Sequence, residues 1–172
     1  MSGIVTGGWH EAVAQGRRRL VAATGLSLAW ALLVGRPAVA VAGTGGGPLI
    51  EVWKDASCGC CAEWMQQMER AGFQVRAHDS GNAAMRARLR IDPRYGSCHT
   101  ALVGGYAIEG HVPAREIRRL LRERPQAIGL AVPGMPIGSP GMDSGGYAGR
   151  KDPYDVLLLT ADGRASVFPS YR

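Results

Sequence analysis

Three of the four cysteines in this 172-residue chain stand within four consecutive positions. They are Cys58, Cys60 and Cys61 in the segment SCGCCAEW, whereas Cys98 lies far along the chain in GSCHTALV. Cys58 and Cys61 have the C-x-x-C spacing of dithiol sites, and Cys60 adds a third thiol. A helix is predicted to begin at this cluster, and the N–H groups and dipole of a helix N-terminus favour thiolate over thiol. Because thiolate both attacks disulfides and binds metals, redox exchange and metal capture are both open.

Two features favour metal binding. A dithiol oxidoreductase needs two sulfurs, and a third adjacent thiol invites misoxidation. Cys98 precedes a predicted strand, and in a thioredoxin-like sheet the loop entering that strand lies beside the C-x-x-C turn, so that four sulfurs can converge. Soft thiolates select Cu(I), zinc or iron–sulfur clusters. Zinc usually takes a wider ligand spacing and iron–sulfur clusters take longer series of cysteines, so the spacing favours copper, with zinc as the alternative.

A structural interpretation of the cysteines is also open. Outside the cytosol thiols tend to become disulfides, and the pairs would then be Cys58 with Cys61 and Cys60 with Cys98. A chain of this length can bury a core without such cross-links, which argues against it.

Two histidines and two methionines are candidates for additional ligands or for supporting positions around the site. His99 adjoins Cys98, and His111 in IEGHVP precedes the third predicted helix. Met135 and Met142 punctuate the segment PGMPIGSPGM. Imidazole and thioether groups bind soft metals, but each residue also has an ordinary structural interpretation, as a loop histidine or as a methionine filling a gap.

The elements that must position these residues alternate between strands and helices. Strands are predicted at 49–54, 73–78, 100–103 and 106–108 and in a final hairpin around Asp162 and Gly163; helices are predicted at 61–71, 82–89, with Asn82 as the cap, and 113–124. The segment AIGLAVPGMPIGSPGMDSGGYAGRK, rich in Gly and Pro, is predicted to be a long loop. The order predicts an α/β, thioredoxin-like fold: a central mixed sheet with flanking helices, the Gly/Pro-rich loop and a C-terminal hairpin.

The first 42 residues are typical of an export signal. An arginine cluster at 17–19 precedes the apolar run LVAATGLSLAWALLV and the small residues Ala38 and Ala40, and the cluster also suits a twin-arginine signal. We therefore predict a signal peptide at 1–42, a linker at 43–47 and a metal-binding domain at 48–172 in the periplasm, with no membrane span after cleavage. The leader's four arginines and one glutamate carry +3 of the total +6, and the +3 that remains does not indicate a nucleic-acid partner.

Three motifs together resemble a known family. SCGCCAEW, YGSCHTALVGGYAIEGHVP and AIGLAVPGMPIGSPGM stand in the order found in bacterial exported metal-binding proteins of unknown function, a family that includes the copper-resistance protein CopG. The resemblance extends from about Leu49 to Tyr171. It implies a thioredoxin-like fold, a periplasmic location and a redox-active copper–sulfur site. The cysteines that it implies as ligands are Cys58, Cys60, Cys61 and Cys98.

Three functions follow as hypotheses. The first is a periplasmic protein that binds Cu(I) in copper resistance, by sequestration or by redox handling of copper. The second is a thiol–disulfide oxidoreductase with Cys58 attacking and Cys61 resolving, although CHTALV lacks the proline that such enzymes commonly place before the corresponding strand. The third is a copper chaperone that docks an efflux partner through Arg118 and Arg119. We do not expect an enzyme under the first hypothesis; any activity would be redox chemistry on copper or thiols.

Overall fold

The computed structural model describes residues 46–147 and 149–172. The predicted leader at 1–42 and most of the predicted linker at 43–47 lie outside the described residues. Within the described ranges, no helix combines the length and the apolar character that a membrane crossing requires.

Strands and helices are interspersed through the first two thirds of the described chain, and two paired strands end it. In chain order the elements are β1 (Leu49–Lys54), α1 (Gly59–Arg70), β2 (Gln74–His78), α2 (Ala83–Arg88), β3 (His99–Val103), β4 (Tyr106–Glu109), α3 (Ala114–Glu123), β5 (Gly129–Ala131), β6 (Tyr154–Leu159) and β7 (Ala165–Tyr171). Single 3₁₀ turns occur at Pro93–Tyr95 and Gly145–Tyr147. The prediction of a mixed α/β fold is confirmed.

The strands form one mixed sheet in the order β2-β1-β3-β4-β5-β6-β7. β1 is parallel to β2 and antiparallel to β3, which is antiparallel to β4. β5 runs parallel to β4, and β6 and β7 continue the sheet as antiparallel strands. The register pairs Lys54 at the end of β1 with His99 at the start of β3. The chain leaving β1 and the chain entering β3 therefore meet at one end of the sheet.

Apolar faces of α1 and α3 pack on the sheet. Trp64 and Met68 of α1 and Ile117 and Leu120 of α3 are buried, because they recur at the three- and four-residue spacing that lines one face of a helix. Trp64 also donates a hydrogen bond from Nε1 to the Val112 carbonyl at 2.9 Å, so that its polar atom is paired. Full burial of an apolar side chain such as that of Met68 or Ile117 stabilises a fold by about 1.5–3 kcal/mol. This packing fixes the direction in which the N-terminus of α1 points.

One strand of the sheet, β5, was not predicted. β5 lies at Gly129–Ala131, inside the segment that the sequence analysis assigned to the long loop. Three residues are too few to show periodicity, and Gly and Ala have weak strand preferences. All three are buried, and β5 exists because β4 and β6 hydrogen-bond to it from its two sides.

Two local predictions at helix starts were wrong. α1 begins at Gly59 rather than at 61, so that Cys58 takes the N-cap position. Asn82 precedes α2 but makes no capping hydrogen bond through its side chain. Its Nδ2 donates instead to the Ser97 carbonyl at 3.1 Å, because the folded chain brings that half-buried acceptor within reach.

Candidate metal centre

The start of α1 and the loop before β3, which lie at the same end of the sheet, carry the cysteines. Cys58, at the N-cap of α1, precedes Cys60 and Cys61 in its first turn, and Cys98 stands directly before β3. The four sulfur atoms lie within 4.8 Å of one another. The convergence follows from the antiparallel register of β1 and β3, which brings these two segments side by side. The positive end of the α1 dipole lies at the same point.

The distances within the cluster show which thiols are paired. Cys58 and Cys61 form a disulfide, and Cys60 and Cys98 are free thiols. The Sγ atom of Cys98 is 3.4 Å from that of Cys61 and 3.7 Å from that of Cys60. The second disulfide of the structural interpretation, between Cys60 and Cys98, is not formed. Reduction of one disulfide by two electrons would therefore make all four sulfurs available as ligands.

Cys98 is held in its protonated form by its surroundings. Burial disfavours the thiolate, the neighbouring Cys60 adds a like charge, and together they raise the pKa of Cys98 to about 12. In the metal-free chain the thiol thus keeps its proton at neutral pH. A cation bound between the sulfurs would supply the opposite charge that favours the thiolate.

His111 faces Cys98 with one ring nitrogen and is anchored by the other. Its Nε2 is 3.0 Å from the Cys98 Sγ, and its Nδ1 is 2.7 Å from the Pro140 carbonyl oxygen. Because a carbonyl only accepts, Nδ1 carries the proton and Nε2 presents a lone pair. Burial lowers the pKa of His111, which favours this neutral form. Metal-binding histidines are commonly oriented in this way by a carbonyl partner.

His99 is completely buried beside the same sulfur. Its Nδ1 is 3.5 Å from the Cys98 Sγ, and its ring packs against Trp64 and edge-on against His111. Burial lowers its pKa well below the usual value, so the ring is neutral. The His99 Nε2 has no hydrogen-bond partner among the residues that the structure describes. Cys98, His99 and His111 form a second group of donor atoms that lie within 4.8 Å of one another.

The structure separates the two candidate methionines. Met135 is half exposed, and its Sδ lies 3.9 Å from the Cys60 Sγ. Met142 is 6% exposed and makes no hydrogen-bonding contact with the cysteines in the described ranges. Met135 is therefore placed where it could add a sulfur ligand.

The segment that carries both methionines lies against the first turn of α1. At Gly141, with φ of +83°, a Cβ would stand 2.5 Å from the Cys60 carbonyl oxygen and 2.8 Å from the Trp64 nitrogen. Only glycine therefore allows this approach. The Asp143 carboxylate fixes the same segment by accepting hydrogen bonds from the Gln67 side chain at 2.9 Å and from the Gly141 N–H at 3.1 Å.

The sequence analysis did not single out a polar network behind Cys98. Glu109, at the end of β4, is fully buried and accepts hydrogen bonds from the Ser97 N–H, Thr100 Oγ1 and Arg86. Burial raises the pKa of Glu109, whereas these donors act in the opposite direction. The one feature of the sequence that could have pointed to this network is that a charged residue, Glu109, ends the otherwise apolar strand YAIE.

The donor set fits a soft metal ion. It consists of cysteine sulfurs and neutral imidazoles, with one thioether at the edge, and neither donor group in the described ranges contains a carboxylate. Such ligands suit Cu(I) or zinc, whereas magnesium and calcium require oxygen.

Comparison with known proteins adds independent information. Residues 95–142 match the family described as a protein of unknown function, DUF411. A solved structure of copper resistance protein CopG, form 2, is 44% identical, with a TM-score of 0.68, and the match covers 73% of this chain and 99% of that chain. Form 1 is 46% identical, with a TM-score of 0.66 and coverage of 72% and 96%. No curated protein matches the chain.

Proposed function

The chain belongs to the DUF411 family that includes the copper resistance protein CopG, and from that premise we propose that it binds copper as Cu(I) in copper resistance or homeostasis. The proposed ligands are Cys58, Cys60, Cys61 and Cys98. The observation that carries the proposal is the meeting of these four sulfurs within 4.8 Å, beside two neutral imidazoles. Several thiolates this close can bridge more than one ion, so the proposal includes a multinuclear copper–sulfur centre.

The protein supplies the binding chemistry through its thiols. Copper, when bound, supplies a one-electron couple between Cu(I) and Cu(II). Reduction of the Cys58–Cys61 disulfide frees two thiols, and the N-terminus of α1 favours their thiolate forms. Cys98 then gives up a proton as metal binds, and His111 Nε2 is placed to accept a hydrogen bond from the thiol beforehand. We expect the protons to leave to solvent.

Two further parts of the proposal concern the fold and the compartment. The strand order β2-β1-β3-β4, with a C-x-x-C segment between β1 and α1, supports a thioredoxin-like unit to which β5, β6 and β7 are added. The order of charged, apolar and small residues at 1–42 supports export to the periplasm with removal of the leader. Cell fractionation with mass measurement of the recovered protein tests the second part, and a full-length mass in the cytoplasmic fraction would contradict it.

Anaerobic titration of the reduced protein with Cu(I), in competition with a chromogenic chelator, tests the metal proposal. We expect the wild-type protein to remove Cu(I) from the chelator, and we expect a variant with all four cysteines changed to serine not to. Equal affinity of the two proteins would refute the proposal. Repeating the titration with Zn²⁺ present tests the choice of metal, because the proposal requires Cu(I) to displace zinc.

The Cys58–Cys61 disulfide supports a second candidate, a thiol–disulfide oxidoreductase. In that reaction the Cys58 thiolate attacks a substrate disulfide and releases one substrate thiolate. Cys61 then attacks the mixed disulfide, releases the second substrate thiolate and forms the Cys58–Cys61 disulfide of this structure. This candidate predicts insulin reduction that survives Cys60→Ser and Cys98→Ser. Loss of turnover in either variant would argue against it.

A copper-delivery role through α3 is a third candidate with weaker support. Arg119 pairs with Glu123 at 2.8 Å and lies over the Phe168 ring, and Arg118 lies over the Phe73 ring. Both guanidinium groups therefore already have contacts within the chain. Charge reversal at Arg118 and Arg119 should impair delivery while leaving copper affinity intact, and unchanged delivery would exclude this role.

A further inference from the structure

Ser97, the residue before Cys98, is held through both of its backbone polar groups. Its N–H donates to Glu109 Oε1 at 2.7 Å. Its carbonyl accepts from Arg86 Nη2 at 2.5 Å and from Asn82 Nδ2 at 3.1 Å. The carbonyl belongs to the peptide that joins Ser97 to Cys98, so these contacts restrict where the backbone of Cys98 can lie.

Arg86 and Glu109 also bind each other. Arg86 donates a hydrogen bond from Nε to Glu109 Oε1 at 2.9 Å, and its Nη2 lies 2.8 Å from the same oxygen as part of the ion pair. Thr100 Oγ1 donates to the second carboxylate oxygen at 2.6 Å. Glu109 is fully buried, and the Arg86 side chain is 19% exposed. A planar guanidinium can hold a carboxylate and a carbonyl at the same time, which an ammonium group cannot do with the same geometry.

A buried ion pair is a weak source of stability, because desolvation of the two charges offsets much of their attraction. Apolar residues of similar volume would stabilise the fold as well. What the pair adds is a fixed arrangement of three segments: α2, the entry to β3 and the end of β4. The effect of the pair is therefore expected in the geometry at Cys98.

The same loop is held from its other side. Ser97 Oγ donates to the Gly134 carbonyl, and the Gly134 N–H donates to the Gly96 carbonyl at 3.0 Å. Gly110 faces Ser97 so closely that a Cβ there would stand 2.5 Å from the serine Cβ. The Cys98 sulfur itself has only long contacts of 3.4 and 3.7 Å to the other cysteines. Its shortest contact is with His111 Nε2 at 3.0 Å, so the backbone that the network holds and this histidine together set the position of the sulfur.

We propose that Glu109 and Arg86 are positioning residues that keep the Cys98 sulfur within bonding reach of the cysteines on α1. The expected effect on metal binding rests on the proposed function. The expected effect on the position of the Cys98 sulfur rests only on hydrogen bonds that do not involve a metal. It assigns a function to a buried ion pair whose removal would otherwise be expected to change stability alone.

A measurement without metal tests the geometry. In a Cys58→Ser/Cys61→Ser background, oxidised glutathione can join Cys60 to Cys98, with two thiols oxidised to one disulfide and two glutathione molecules formed. We expect Glu109→Ala to slow this closure about tenfold. This is the size of effect that loss of a hydrogen-bonding partner behind a ligand typically has on a metal site. Glu109→Gln keeps an acceptor for the Ser97 N–H and should largely restore the rate. Glu123→Ala, which breaks an exposed ion pair on α3, is the matched control and should not change it.

Copper affinity gives the second measurement. We expect Glu109→Ala and Arg86→Lys to weaken Cu(I) binding about tenfold when Cys98 is present, and to have no further effect in a Cys98→Ser background. Arg86→Lys keeps the charge opposite Glu109, so it tests the geometry in a variant that retains the ion pair. The inference would be overturned if Glu109→Ala and Arg86→Lys weakened Cu(I) binding equally with and without Cys98. It would also be overturned if neither of these two variants changed the rate of disulfide closure. Failure of the wild-type protein to bind Cu(I) would remove the proposed function but leave the closure test valid.

Discussion

The Nε2 atom of His111 lies 3.0 Å from the Sγ atom of Cys98. His111 follows β4, and Cys98 precedes β3, so this contact depends on the pairing of those two strands. The Pro140 carbonyl holds the opposite ring nitrogen at 2.7 Å. One nitrogen–sulfur contact is thus fixed by three segments of the chain, and it gives the cysteine cluster a neutral imidazole at its buried edge.

Replacement of His111 by alanine should weaken Cu(I) binding about tenfold, because the site loses a neutral nitrogen donor and the oriented partner of Cys98. Competition with a chromogenic chelator measures the change. His78→Ala is the matched control, since His78 stacks on Trp53 and contacts Glu51 rather than the cysteines. Equal affinities for the two variants would exclude a role for His111 in the site.

Substitution of Gly141 by alanine should destabilise the protein by about 1–3 kcal/mol, because a Cβ there would overlap the first turn of α1 and the backbone has a positive φ. Chemical denaturation measures the free energy of unfolding. Gly146→Ala is the control, because its Cβ would meet no atom within 4 Å and its φ is not positive. A similar change in both variants would show that the segment does not pack on α1.

Cys98 should react slowly with iodoacetamide in the metal-free protein. Its raised pKa leaves little thiolate at neutral pH, and the reaction rate should still be increasing as the pH approaches about 12. Cys60→Ser should speed the reaction, because the Cys60 sulfur is one cause of the raised pKa, but burial should keep the rate below that of the unfolded chain. Mass spectrometry of the labelled peptides gives the rates. Labelling at pH 8 as fast as in denaturant would contradict the expectation.

Tyr171 should make the protein less stable in strong alkali. Burial and a hydrogen bond to Glu116 Oε1 at 2.9 Å raise the pKa of Tyr171 to about 12. The unfolded tyrosine loses its proton near pH ~10, whereas the folded one keeps it, so the unfolded state binds fewer protons between these values. The stabilisation is therefore complete below pH ~10 and is lost as the pH rises towards 12.

The Tyr171→Phe variant isolates this contribution. Denaturation midpoints measured from pH 8 to pH 11 should decline more steeply for the wild-type protein than for the variant, which has no phenol to titrate at that position. Absorbance of tyrosinate during a pH titration should also show one late-titrating group fewer in the variant. Parallel stability profiles would show that Tyr171 titrates at its ordinary pKa.

Local patterns predicted most elements around the site. The predicted strand 49–54 coincides with β1, and the predicted strands and helices at 73–78, 82–89 and 106–108 fall within a residue of the observed elements. Apolar residues in these elements recur at the spacing of a strand or a helix, and Gly or Pro bounds them. The residues of each element are therefore enough to predict its type. β5 has no such pattern, because its three residues are a strand only between β4 and β6.

The network at Ser97 illustrates the opposite case. Arg86 lies in the predicted helix 82–89, and Glu109 ends an apolar strand; neither position marks the residue as part of the site. Their ion pair joins α2 to β4, and no spacing rule connects positions so far apart in the chain. The same holds for Met135, whose approach to Cys60 depends on the path of the segment over α1.

By itself, the sequence determined the chemistry available to this protein: four thiols, three of them at the start of one helix, with histidines and methionines in separate motifs. The predicted strand order led us to expect the cysteines to converge, but the tertiary structure alone decided how they pair and which other donors join them. The antiparallel register of β1 and β3 brings Cys98 to α1, the disulfide joins Cys58 to Cys61, and His111 and Met135 contact the cluster. Side-chain chemistry is a property of each residue and can be read locally, whereas proximity depends on how strands pair and helices pack over the whole chain.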